Sequence, residues 1–169
     1  MGFGSGLNAL MAIIYCNLHN CVASYTGIES LPVSSDVYKK LNYTEIINKP
    51  QFYDVFINMH SCAWGQKVKF FDNFTFQKIN QKIEESDICE TFDVIFYDAF
   101  APSCQPHLWE ENIMQKMYNM LKPGGVLVTY CAKGEFKRVL KRVGFYVESL
   151  VGPARKREIT RAIKYKLID

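Results

Sequence analysis

Apolar and polar positions along this chain switch between two rhythms. Residues 7–17 repeat their apolar positions at helical spacing, directly after glycines at 2, 4 and 6. Residues 22–28 read as a short strand ending at Glu29, and residues 35–41 as a helix with Ser35 or Asp36 near its N-cap. A short strand is predicted over residues 68–71. Residues 74–85 are polar with sparse apolar positions, and a helix is predicted there. The clearest strand covers residues 92–97, apolar or aromatic except for Asp93, as expected of a strand covered on both faces. Ile113, Met114, Met117, Tyr118 and Leu121 then recur at helical spacing until Pro123-Gly124-Gly125 stops the helix near Lys122. Residues 126–130 form a second buried strand. Residues 135–143 form a helix with Phe136, Val139, Leu140 and Val143 on one face and Gly144 as its stop. Residues 146–150 and 159–166 are closing strands, able to pair antiparallel.

This alternation predicts an α/β layered fold in one domain over residues 1–169, with no internal repeat or linker. Nearly half the residues are hydrophobic and 22% are charged, enough apolar material for a core and too little charge for wholesale disorder. The net charge of +3 is mild, but its distribution is not. Between Lys133 and Lys166 eleven Lys or Arg stand against Glu135, Glu148 and Glu158, a local basic surface. The six cysteines form no CxxC pair and no histidine sits at zinc spacing, so reduced thiols and no metal are expected. No apolar run reaches the ~18 residues of a membrane span. The apolar stretch after the glycines lacks a basic leader, so a cytoplasmic protein is expected.

Five places carry candidate chemistry. In Gly2-Phe3-Gly4-Ser5-Gly6-Leu7-Asn8 the alternate glycines permit a sharp turn and close backbone approach to a ligand, followed by the free N–H groups of a helix start. A dinucleotide fingerprint needs its third glycine one residue later, where Leu7 stands. The G-x-G-x-G spacing fits the loop that cradles the amino-acid part of S-adenosylmethionine; an ordinary glycine-rich turn is the bland alternative. Glu29, 25 residues after Gly4, can accept ribose hydroxyls, a spacing that suits NAD and S-adenosylmethionine equally. Asp98-Ala99-Phe100-Ala101-Pro102 leaves the strongest strand, at the end where α/β folds bind ligands. Tyr97, Phe100, Trp109 and Tyr130 could wall a pocket for a flat base or a sulfonium, although an acid there can also merely cap a turn. Thr129 to Gly134 lies at another strand end. The loop Gly152 to Glu158, with Arg155, Lys156 and Arg157 in succession, suits phosphate contact unless its charge is simply solvated. His19, His60 and His107 are scattered and receive no catalytic role.

Taken together, Gly2 to Asn8, Asp98-Ala99-Phe100-Ala101-Pro102 with Pro106-x-Leu108-Trp109, Lys122-Pro123-Gly124-Gly125, Thr129-Tyr130-Cys131-Ala132-Lys133-Gly134, Gly144-Phe145 and Lys156-Arg157-Glu158 resemble the MnmC-like tRNA (5-methylaminomethyl-2-thiouridine)-methyltransferase domain family, from Gly2 to about Ala162. The resemblance implies a Rossmann-like class I S-adenosylmethionine-dependent methyltransferase, with a mostly parallel sheet and antiparallel closing strands. It implies N-methylation of the aminomethyl group of 5-aminomethyl-(2-thio)uridine at the tRNA wobble position. Asp98 would be the catalytic acid residue beside the amine. Gly2, Phe3, Gly4, Gly6, Asn8, Glu29, Asp72 (after the third strand, toward adenine) and Asp98 would bind the donor. Phe100, Pro102, Trp109, Tyr130, Lys133, Arg155, Lys156 and Arg157 would bind tRNA.

The chain departs from the family in having His107 before Leu-Trp and Gln105 before Pro106, and in having no room for a fused flavin domain. A separate FAD-dependent oxidoreductase would act earlier. Met1 stands where the first strand should end, so that strand is expected to be missing and the domain N-terminally truncated. The other readings are an NAD-dependent dehydrogenase, a methyltransferase for another amine, and a non-catalytic RNA-binding remnant.

Overall fold

The computed structural model describes residues 1–153 and 157–165. The chain gathers into two compact units, Gly2–Glu85 and Met1 with Ser86–Asp169.

The first unit begins with α1 (Leu7–His19), which starts at Gly6 in the left-handed conformation. Ala9, Leu10, Ile13, Ile14 and Cys16 form its buried face, and Leu7, Met11, Tyr15 and Leu18 are exposed. β1 (Ala23–Glu29) follows. Then come two short helices, α2 (Ser35–Tyr38) and α3 (Tyr43–Ile46), a 3-10 turn at Pro50–Phe52, and α4 (Tyr53–Ser61). The hairpin β2 (Val68–Phe71) and β3 (Phe74–Asn80) closes the unit. The sheet order is β1-β3-β2, parallel between β1 and β3 and antiparallel between β2 and β3. Phe56, Phe74 and Phe76 are fully buried against α1 residues in the core, and each such ring is worth roughly 1.5–3 kcal/mol of burial.

The helix predicted over 74–85 is a strand. Phe74, Phe76 and Lys78 alternate inward with Thr75, Gln77 and Ile79 between them, a period of two. The inward lysine hides that period from a hydrophobicity reading. Lys78 is 1% exposed; its ammonium donates to the His60 carbonyl and lies 4.5 Å from the centre of the Trp64 ring. Those two partners make burial of the charge tolerable.

The second unit runs β4 (Phe92–Phe96), a 3-10 turn at Pro106–Trp109, α5 (Glu111–Asn119), β5 (Leu121–Thr129), α6 (Gly134–Val143), β6 (Phe145–Val151) and β7 (Glu158–Lys164). Its sheet order is β4-β5-β7-β6. β4 and β5 are parallel, and the closing pair β6–β7 is antiparallel, as the sequence predicts. Gly144, at φ +109, ends α6. The expectation that β4 is covered on both faces holds for one face: Ile95 and Tyr97 are buried, whereas Val94 and Phe96 are 44% and 38% exposed. Met1 brackets Tyr97 in the manner of a parallel neighbour, its amino group donating to the Phe96 carbonyl at 2.6 Å and its carbonyl accepting from Asp98 N–H at 3.0 Å.

β5 starts at Leu121, earlier than predicted, and takes Pro123-Gly124-Gly125 inside the strand. Phe92 pairs with Leu121 and Val94 with Val126, so β5 carries three extra residues as a bulge. Gly124 has φ +82, and a Cβ on Gly125 would meet the carbonyls of Lys122 and Phe92 at 2.9 and 3.1 Å. Among the described residues no helix is long and apolar enough to cross a membrane.

Candidate functional site

The glycine turn belongs wholly to the first unit. Gly2, Gly4 and Gly6 have φ of +76, +51 and +79, which only glycine adopts without strain. Gly2 and Phe3 N–H donate to the Ile28 carbonyl at 3.1 and 3.0 Å, anchoring the turn to the end of β1. Phe3 is buried beneath the turn, packed on Gly27 and 5.8 Å from the Phe76 ring. Its place is thus support from below. Gly4 faces open space, with nothing within 4 Å of a Cβ built there. Asn8 is half-buried in the first turn of α1.

Glu29 ends β1 as expected. Its Oε2 accepts from Gly4 N–H and its Oε1 from Leu31 N–H, both at 2.9 Å. A carboxylate has about four lone-pair sites, so these bonds fix its orientation and leave acceptor capacity. The open face of Gly4 and this oriented carboxylate fit an adenosine-type donor.

Asp72 requires a correction. It follows the strand predicted over 68–71, as expected, but that strand is β2, the antiparallel arm of the β2–β3 hairpin, so Asp72 sits in the hairpin turn, exposed and paired with Lys69 at 2.9 Å. Its carboxyl is held below the usual range by that lysine's hydrogen bond and charge. β1 and β3 are parallel, with Ala23 opposite Phe74 and Glu29 opposite Asn80. Asp72 therefore lies at the other end of the sheet, on the order of 20 Å from Glu29. The residue in the expected place is Asn80, followed by Gln81, whose N–H donates to the Glu29 carbonyl at 3.1 Å.

His60, a lone histidine in the sequence, is brought by the fold to the glycine turn. It lies half-buried at the end of α4, stacked on Tyr38 at 4.4 Å and near the rings of Phe3 and Phe56. Its Nε2 is 3.2 Å from the Ser5 carbonyl. A carbonyl only accepts, so Nε2 carries the proton. Burial first, with the Lys78 charge a lesser contribution, lowers its pKa to about 4 against the opposing effect of the Ser5 bond. On the other side Tyr43 donates its hydroxyl to Ser5 Oγ at 2.9 Å. No motif marks these residues; they fall in residues 43–67, where no element was predicted.

The acidic turn belongs wholly to the second unit. β4 delivers Tyr97 inward and Asp98 outward, and Asp98 is exposed. Three successive carbonyls of the turn are tied down. Tyr130 donates its hydroxyl to Ala99 O at 2.9 Å, Trp109 its indole N–H to Phe100 O at 2.9 Å, and the N–H groups of Cys104 and Gln105 donate to Ala101 O at 2.7 and 3.0 Å. Tyr97 in turn donates its hydroxyl to the Leu108 carbonyl. Phe100 is 68% exposed; Trp109 is 5% exposed, edge-on to Tyr97, Tyr130 and Phe136. Trp109 therefore acts on this turn through the Phe100 carbonyl from behind. Burial pushes the Tyr130 phenol up, with Cys131, Asp98 and Cys104 adding to it. Pro102 is half-buried.

Of the basic residues, Lys133 is exposed at the N-cap of α6 and Arg157 is exposed just before β7. Arg155 and Lys156 lie outside the described residues. Lys137 on α6 pairs with Glu158 at 2.8 Å and donates to Ser149. Hydrogen bonds to it from Lys137 first and then from Ser149 hold the Glu158 carboxyl below its ordinary value.

Known proteins agree with this architecture. Residues 50–165 match the family model described as S-adenosyl-L-methionine-dependent methyltransferase. A curated relative, the tRNA 5-methylaminomethyl-2-thiouridine biosynthesis bifunctional protein MnmC of Actinobacillus pleuropneumoniae serotype 5b, is 25% identical over 94% of this chain and 26% of its own length. The chain thus spans about a quarter of that relative. The crystal structure of MNMC2 from Aquifex aeolicus superposes with a TM-score of 0.67 at 18% identity, covering 95% of this chain and 50% of that one. A methyltransferase from Pyrococcus furiosus gives 0.54 at 16%, covering 93% and 70%. These two likenesses show the Rossmann-like methyltransferase fold.

Proposed function

This chain belongs to the S-adenosyl-L-methionine-dependent methyltransferases, and on that premise we propose that it N-methylates the aminomethyl group of 5-aminomethyl-(2-thio)uridine at the tRNA wobble position. The observation that carries the acceptor side is the turn at residues 98–102, where a carboxylate and an aromatic ring are exposed on a backbone with three successive carbonyls tied down. Preorganised groups of this kind cost little reorganisation during reaction.

Gly2, Gly4, Gly6 and Asn8 would hold the amino-acid end of the donor, with Phe3 beneath them, and Glu29 would accept from its ribose. The chemistry supplied when the donor is bound is a methyl group activated on a sulfonium. An alkylamine near neutrality is largely protonated, as the lysine reference of ~10.4 illustrates, and its lone pair must be free to react. Asp98 orients the amine and accepts its proton, directly or through water. Phe100 and Pro102 contact the base. Trp109 and Tyr130 keep the turn in shape. Lys133 and Arg157, with Arg155 and Lys156, neutralise tRNA phosphates. A separate FAD-dependent oxidoreductase would act earlier in the sequence to supply the aminomethyl group, and both would work in the cytoplasm.

The test incubates the full-length protein with labelled S-adenosylmethionine and tRNA from a strain lacking this methylation, followed by nucleoside analysis. Label in 5-methylaminomethyl-(2-thio)uridine is the expected result. Transfer to a small amine but not to tRNA would move the reaction to another substrate. Binding of tRNA without transfer would make the chain a non-catalytic remnant.

A further inference from the structure

A turn built on three left-handed glycines has little ladder of its own, so its remaining polar groups need partners from elsewhere. Ser5, the one residue with a side chain between Gly4 and Gly6, is gripped at two atoms. His60 Nε2–H donates to its carbonyl at 3.2 Å, and the Tyr43 hydroxyl donates to its Oγ at 2.9 Å. The imidazole is itself fixed by stacking on Tyr38 and by the edge of Phe56, while its carbonyl accepts from the buried Lys78 ammonium at the end of α4. An ammonium at a helix C-terminus is favourably placed against the helix dipole. The grip is close: a Cβ on Gly6 would come within 2.9 Å of His60 Nε2.

We propose that His60 and Tyr43 are positioning residues for methyl-donor binding, clamping Ser5 so that the glycine turn is preorganised before the donor arrives. The proposal rests on the reading of this turn as the donor site. Neither residue needs to touch the donor. Their effect falls on affinity, because an ordered loop spares the ordering cost on binding.

Calorimetry with S-adenosylmethionine and with S-adenosylhomocysteine on the full-length protein tests it, alongside thermal melting and the donor KM and kcat. His60→Phe keeps an aromatic ring in the cage but leaves the Ser5 carbonyl unpaired. Donor affinity should fall about tenfold, with donor KM raised in step and kcat at saturating donor within about twofold of the parent. His60→Gln, whose amide nitrogen can reach the same carbonyl, should recover affinity to within about threefold of the parent. Tyr43→Phe removes one oxygen and should cost about threefold. Because Ser5→Ala deletes the same bond, the Tyr43→Phe and Ser5→Ala effects should not add.

Parent-like affinity in both His60→Phe and Tyr43→Phe overturns the clamp. So does equal loss in His60→Phe and His60→Gln, which would leave only packing. Should His60→Phe not fold, the Tyr43–Ser5 cycle decides, and additive effects there overturn the proposal. Failure of the parent itself to bind either probe would instead remove the donor-site reading, and the clamp with it.

Discussion

Two turns carry the candidate chemistry, and they are shaped in opposite ways. The turn at residues 2–6 is bent by its own backbone, through glycines at positive φ, with His60 and Tyr43 reaching in to hold Ser5. The turn at 98–102 contains no glycine. It is held by hydroxyl, indole and backbone donors on successive carbonyls, leaving Asp98 and Phe100 outward. A backbone-built cradle suits a ligand that never changes, because few side chains can be exchanged in it. A turn that presents side chains suits an acceptor that differs between family members. Damage should therefore read out as lost affinity for the donor in the first and as lost turnover or stability in the second.

The sharpest challenge to that contrast is Asp98→Asn. Turnover should fall on the order of 100-fold or more while the donor dissociation constant, read by calorimetry, stays put; a matching loss of donor affinity would break the division. Next, Gly6→Ala adds a methyl at φ +79 against His60. Strain and clash together should weaken donor binding about 30-fold, with kcat at saturating donor close to the parent. Trp109→Phe strands the Phe100 carbonyl and leaves a gap behind it. We expect about 2 kcal/mol of lost stability in urea melts and unaltered donor affinity. Tyr130→Phe removes one hydroxyl from Ala99 and should cost about 1 kcal/mol in the same assay.

The smallest effect concerns acid. His60 in the folded protein titrates near 4, below the ordinary 6.5, chiefly because burial disfavours the imidazolium. The unfolded chain takes up that proton first. The contribution to stability is complete above about pH 6.5 and declines as pH falls toward about 4. Around the ring stand the Lys78 ammonium, whose charge also disfavours the imidazolium, and the stacked Tyr38 phenol. Urea melts at pH 7.5 and 5 should show a smaller drop for His60→Gln than for the parent.

The strands β4 and β5, the antiparallel closing pair, the two turns and Glu29 were legible in the sequence, because each rests on local chemistry: glycine spacing, aromatic runs, Gly144 after a helix. β3 was not, since Lys78 sits at an inward position that periodicity reserves for apolar residues, and the misread strand displaced Asp72 to the wrong end of the sheet. Trp109 was recognised as part of the acidic turn, but its burial depends on Tyr97, Tyr130 and Phe136 converging from three segments. His60 was visible only as a lone histidine; its meaning comes from a contact 55 residues away.

The surplus of residues in the first half of β5 has a bearing on how this fold tolerates change in length. Pairing resumes at Val94 and Val126 after the extra residues that follow Leu121, and the apolar faces beyond that point fix the match. Slack of this kind works as an expansion joint. An insertion or deletion of a single residue there can be swallowed upstream, so that Tyr97 still meets Val128 and the tips of both strands arrive unshifted.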